Sequence, residues 1–333
     1  MRAQTESYRY EVEVVRSVCR ETLERNWRNG VRQADGVPFA YTRPSLGHYP
    51  FQWYWDSCFA AISWRRFDQG RSRRELESLL ADGLLWIVQP DESGLDAPQF
   101  DAIWHGHADG LPGFVRLVRR NRAHGYDLRR IAADGGPVCC EVMTNVFHAL
   151  SSLALGRPSL TGVIIERMYD DKARLFRPLA RPHPREEPAV TWAALSPLAL
   201  PDLPEAIARR LVEEHLLDPE RFWLPVPPPS VPPTEPAFSP RNSTLGIKRY
   251  WRGPTWINAA WLLWLGLVRL GYENEVELLQ TSPAETVAAQ GLREYYDPYT
   301  GRGMGSSDFA WSALVMEILD PVNGAGTSFL PGP

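Results

Sequence analysis

Four carboxylates fall within the stretch Gln89–Trp104, QPDESGLDAPQFDAIW: Asp91, Glu92, Asp96 and Asp101. No lysine or arginine separates them, as would be usual on a solvated acidic surface. Glycine, proline and aromatic residues surround them instead. Carboxyls in such company are suited to proton transfer, because a partly desolvated setting raises a carboxyl pKa and lets the group hold its proton near neutral pH. Two more blocks have the same character. One is Tyr49–Phe59, YPFQWYWDSCF. The other is split between YWRGPTW (Tyr250–Trp256) and REYYDPYTGRGMGSSDF (Arg293–Phe309). Aromatic rings offer flat apolar faces to pyranose C–H groups, and acids and amides fix hydroxyls by charge-assisted hydrogen bonds. Glycine lets backbone approach a ligand closely.

The elements that must carry these blocks read as helices. Tyr8–Arg28 places Val12, Val15, Cys19 and Leu23 on one stripe. Arg71–Leu80, Leu111–His124, Val142–Leu155 and Glu205–His215 are amphipathic in the same way. Thr255–Leu270 is apolar nearly all round and should be buried on more than one side. Pro254 suits its first turn and Gly271 the position after its end. Asp308 is placed to cap a last helix, Phe309–Leu319. Clear period-2 strands are scarce, although Leu85–Val88 is a candidate for extended structure. Phe222–Gly246, rich in proline, leads directly into the tryptophan block, and a loop longer than about 15 residues in a compact domain is usually functional or disordered. Helix, long loop, helix is the rhythm of an α/α toroid, and one domain spanning 1–333 is expected.

Composition narrows the classes. The chain has 333 residues, 44% of them hydrophobic, enough for a sizeable core. A net charge of −4, with 34 arginines and 2 lysines, argues against a nucleic-acid surface. The first residues form a charged amphipathic helix and not a signal peptide, and no run has the length of a membrane span. Cys19, Cys58, Cys139 and Cys140 fit neither a disulfide framework nor a zinc site, so a reduced, cytoplasmic setting is expected. His105 and His107 lack a third ligand at a known spacing, so no metal is expected. GRGMG lacks the preceding strand of a dinucleotide fingerprint, so no cofactor is implied. Trp261 and Trp264 have core spacing, and Asp91 and Asp297 beside prolines suit turns.

Taken together, QWYWDSCF, ESGLD, YWRGPTW and EYYDPYTGRGMG resemble the signatures of glycoside hydrolase family 63, in particular its mannosylglycerate- and glucosylglycerate-hydrolysing branch. ESGLD and REYYD are also similar to motifs of the inverting trehalases. The resemblance runs from about Tyr41 to Leu319. It implies an all-α, (α/α)6 barrel, with two helices missing because Ala60–Glu92 is short for the family. It implies inverting hydrolysis of a small α-glycoside, with Asp96 as general acid and Glu294 as general base. Tyr49, Gln52, Trp53, Trp55 and Asp56 would line the sugar subsite, and Tyr250, Trp251, Arg252 and Gly253 a second wall. An anionic aglycone would need a cation, for which Arg43, Lys248 and Arg252 are candidates. The chemistry agrees: inversion needs two carboxyls about 6.5–9.5 Å apart with water between them, which acids about 200 residues apart in sequence can supply and acids within one motif cannot. The alternative is a non-catalytic carbohydrate-binding protein on the same barrel. An isoprenoid cyclase on an α/α toroid is disfavoured by the absence of a DDxxD-type motif.

Overall fold

The computed structural model describes residues 2–31, 38–46, 54–77, 84–93, 98–105, 110–240, 243–244, 247–248 and 251–320. They divide into two compact units interleaved along the chain, 1–80 with 224–228 and 255–333, and 81–223 with 229–254.

The first unit opens with α1 (Arg2–Asn26). Val15, Cys19 and Leu23 of the expected stripe are buried and Val12 is half-buried. An antiparallel hairpin follows, β1 (Trp27–Val31) with β2 (Pro38–Thr42). Then come α2 (Tyr54–Trp64) and α3 (Gln69–Glu77). The guanidinium of Arg71 lies 4.5 Å from the Trp64 ring centroid and 5.1 Å from that of Trp27. This cation–π contact pins the start of α3 to both earlier elements. Between Ala60 and Glu92 the described residues hold the end of α2, α3, extended residues and a short 3-10 turn; 78–83 lie outside the described residues, and with them the question of the missing helices.

In the second unit, Leu85–Val88 is extended, as expected. Ile87 bridges Cys139, and the buried Asn145 accepts from Leu85 N at 2.7 Å and donates to Leu85 O at 3.1 Å. The helices are α4 (Gln99–Trp104), α5 (Gly110–Ala123) and α6 (Leu128–Ala133). Next are β3 (Val138–Cys140), α7 (Val142–Ala154) and α8 (Thr161–Met168). β4 (Tyr169–Asp170) pairs with β5 (Leu175–Phe176), β6 (Leu179–Arg181) pairs with β3, and α9 (Glu205–Leu211) continues into a π turn at Val212–Leu216. Val88, Ile131 and Val138 form a core cluster against which Trp86 and Leu128 pack. β7 (Ser243–Thr244) and β8 (Ile247–Lys248) make a small hairpin.

The chain returns to the first unit through α10 (Ile257–Leu270) and α11 (Glu273–Gln290). β9 (Arg293–Tyr296), β10 (Gly303–Ser307) and α12 (Val315–Leu319) complete it. α10 is buried nearly all round, with Trp261 and Trp264 each 1% exposed, and Gly271 closes it in the left-handed conformation. Three expectations are corrected. GRGMG does follow a strand, β9, but it runs into β10 instead of the helix a dinucleotide fingerprint requires. Pro254 precedes α10 instead of entering its first turn, because Thr255 is held in extended pairing with Tyr296. Asp308 caps nothing: its carboxylate is drawn to Arg25 at 3.2 Å, and Phe309 precedes a 3-10 turn, Ala310–Leu314, that leads into α12.

The ring of Trp261 meets that of Phe59 edge-on at 6.3 Å in this core. Trp261→Ala is expected to cost about 3–5 kcal/mol in urea unfolding. A loss below about 1 kcal/mol would contradict the packing described.

Candidate active site

Glu294 sits on β9 and is 3% exposed. β9 and β10 are antiparallel, but their register shifts between Met304 and Ser307. At that irregularity Ser306 N donates to Glu294 Oε2 at 2.9 Å. Arg293 Nη2 donates to Gly305 O at 2.8 Å, and Ser312 Oγ donates to Arg293 O at 2.6 Å, so both sides of the bulge are tied down. Thr255 and Tyr296 exchange backbone hydrogen bonds of 2.8 and 2.9 Å. That exchange brings the end of YWRGPTW beside REYYD. The Trp256 ring then lies 4.7 Å from that of Tyr295 and 5.4 Å from that of Trp311. The carboxyl is therefore largely shielded from solvent, on a strand braced by aromatic rings.

Asp56 and Glu75 are two further buried carboxyls of this unit. Asp56 lies in the first turn of α2 and is 7% exposed. Burial, and beyond it the charges of Glu294 and Glu75, hold its carboxyl well above the usual carboxylate range. Glu75, on α3, is wholly buried at 0% exposure. Its polar neighbours are the hydroxyls of Thr42 and Ser57 and the Thr42 backbone N–H, and burial pushes its carboxyl up to about 8 against their opposing pull. Trp64 Nε1 donates to Thr42 Oγ1 at 2.8 Å, which leaves the threonine proton to point elsewhere. Nothing in the sequence singles out Glu75. RSRRELESLL reads as an amphipathic helix, and the one available signal, an acid placed where its inward stripe needs an apolar residue, is weak.

The second unit holds the remaining described site residues. Trp251 is 2% exposed and stacks on Trp192, with ring centroids 6.0 Å apart. Arg252 is engaged by both oxygens of Asp101 at 2.8 Å. Gly253 has φ +147°, and a Cβ there would come within 2.9 Å of the Phe238 ring, so only glycine fits. Its N–H donates to Ser230 Oγ at 2.9 Å. Ser230 N donates to Pro254 O at 2.9 Å and Trp192 N to Ser230 O at 3.1 Å, so the proline-rich stretch acts here as a buried brace. Arg43, in the first unit, is half-buried, and its Nε is enclosed with no acceptor among the described residues. Tyr49, Gln52, Trp53, Asp96 and Tyr250 lie outside the described residues, as do the side chains of Trp55 and Lys248.

The raised Glu75 pKa carries a stability consequence. The folded state holds this proton more tightly than the unfolded chain, whose value is near 4.5. The contribution is complete below that pH and is lost as pH rises toward about 8. Glu75→Gln is expected to flatten this decline, so that the variant gains on the parent by a few kcal/mol, as an order of magnitude, between about pH 5 and 8 in chemical unfolding. An unchanged pH dependence would contradict a buried, protonated Glu75.

Known proteins share both the sequence and the fold. Residues 80–312 match the model of the mannosylglycerate hydrolase MGH1-like glycoside hydrolase domain. Mannosylglycerate hydrolase MGH1 of Selaginella moellendorffii is 27% identical over 278 residues, covering 70% of this chain and 54% of that protein. Mannosylglycerate hydrolase of Thermus thermophilus is 42% identical over 87 residues, 26% of this chain and 19% of that protein. The chain thus spans about half the length of the first of these relatives, and matches a smaller part of the second. The crystal structure of the family 63 mannosylglycerate hydrolase from Thermus thermophilus in complex with glucose superposes with a TM-score of 0.70 at 22% identity, covering 92% of this chain and 99% of that one. The shared fold is the mostly helical (α/α)6 barrel. By the match over most of its length, the chain belongs to the mannosylglycerate hydrolase MGH1-like family of glycoside hydrolases.

Proposed function

We propose that the protein hydrolyses a small α-glycoside, mannosylglycerate or glucosylglycerate, with inversion at the anomeric carbon. The observation that carries this reading is Glu294: a buried carboxyl, held by a backbone N–H on a strand braced by aromatic rings, in a chain of this family. Asp96 is assigned as general acid. It gives its proton to the glycosidic oxygen as the C–O bond breaks and the bonding pair moves to the aglycone. Glu294 is assigned as general base. It removes a proton from a water that adds to the opposite face of the sugar, the arrangement that requires the two carboxyls about 6.5–9.5 Å apart.

Asp56, with its raised pKa, is suited to donate a hydrogen bond to a sugar oxygen as well as to accept one. Tyr49, Gln52, Trp53 and Trp55 are assigned to the same subsite, and Tyr250, Trp251, Arg252 and Gly253 to a second wall. Arg252 gives Nη2 to both oxygens of Asp101, so an anionic aglycone would meet it through its other nitrogens or compete with that carboxylate. Arg43 and Lys248 are the other candidates for that contact.

The test is release of hexose from mannosylglycerate and from glucosylglycerate by the purified chain. Turnover of about 1–10³ per second is expected. It should fall by about 10²–10⁴-fold in Asp96→Asn and in Glu294→Gln. Sugar binding without turnover in the parent chain would contradict hydrolysis and leave a carbohydrate-binding protein.

A further inference from the structure

We propose that Gly305 and the backbone N–H of Ser306 are the positioning device of the general base, shaping a cradle that no other residue at 305 could form. The inference rests on the assignment of Glu294 as that base. Gly305 has φ +68°, in the left-handed region, and lies within the β9–β10 irregularity. A Cβ added there would stand 2.6 Å from Glu294 Oε2, 2.7 Å from Glu294 Cβ and 2.7 Å from the Tyr295 ring. Oε2 is the oxygen that Ser306 N contacts at 2.9 Å. The missing side chain at 305 is thus the space the carboxylate fills. The turn that glycine alone tolerates is what aims the next N–H at it.

The rest of the hairpin holds this geometry from outside. Arg293 Nη2 is bonded to Gly305 O, and Trp311 Nε1 approaches the carbonyl of Glu294 at 3.4 Å. An N–H fixed on one carboxylate oxygen favours the ionised form and restricts the rotation of the group. A base needs both: a lone pair available at working pH, and an oxygen that stays where the water will be. A misplacement of about 1 Å at such a group costs about 10²-fold in rate.

A neighbouring glycine supplies the control. Gly301 closes the same hairpin at φ +70°, but a Cβ there meets the Thr286 hydroxyl at 3.1 Å and no atom of Glu294. Gly305→Ala and Gly301→Ala therefore impose similar backbone strain, and only the first displaces the carboxylate. With mannosylglycerate as substrate, Gly305→Ala is expected to lower kcat by about 10²-fold with KM little changed, and to move the acid limb of the kcat profile up by about one pH unit. Gly301→Ala shares the backbone strain without those clashes, so it should lose less thermal stability and keep the parent profile. Equal losses of kcat in the two variants, with no shift of the limb, would overturn the inference.

A second measurement needs no turnover and no change at Gly305. In carbon-13 and proton NMR of the parent chain, the Ser306 amide proton should titrate with the same midpoint as the Glu294 carboxyl carbon, and Glu294→Gln should abolish the movement. An amide insensitive to that titration would overturn the cradle. Failure of the base assignment has a different signature: Glu294→Gln would hydrolyse the substrate at the parent rate.

Discussion

Placing carboxyls close together out of water sets the terms for this part of the protein. Charged groups there lose hydration and repel one another, and the usual escape is to keep a proton. Asp56 and Glu75 take that route. Burial is the main cause for both, and the nearby charge of Glu294 adds to it at Asp56. Glu294 is set apart by its surroundings. A fixed N–H and a bulged hairpin meet its carboxylate, where Glu75 meets hydroxyls at the junction of β2, α2 and α3.

Contacts within the first unit hold the segments that carry these carboxyls. The Arg71 contact holds α3, and therefore Glu75, against Trp27 and Trp64. The Thr255–Tyr296 exchange fixes β9 against the segment that leads into α10, which is buried on nearly all sides. In the second unit the same logic acts through backbone. Gly253, Ser230 and Trp192 are linked by a series of hydrogen bonds, and Trp251 stacks on the last of them.

The helical frame is legible in the sequence because its signal is local. The stripe at Val15, Cys19 and Leu23 and the all-round apolarity of α10 both follow from spacing within one segment. Helix ends are less so. Pro254 and Asp308 have the right types for helix starts, yet a strand pairing and a salt bridge to distant residues claim those positions. The family resemblance picks out Glu294 and Asp56 but gives no sign of Glu75, whose partners come from two other segments. Nor does it show that Arg252 is committed to Asp101, an ion pair across 151 positions of sequence. Contacts of that range leave no periodic trace in the chain.

Infrared spectroscopy reads the protonation of these buried carboxyls, on which the electrostatics of the first unit depend. At pH 7 the carboxylic-acid C=O stretch should include a component that disappears in Glu75→Gln and another that disappears in Asp56→Asn. A spectrum at pH 7 with no acid component assignable to either residue would mean that both are ionised. The electrostatic division between Glu294 and its neighbours would then be wrong.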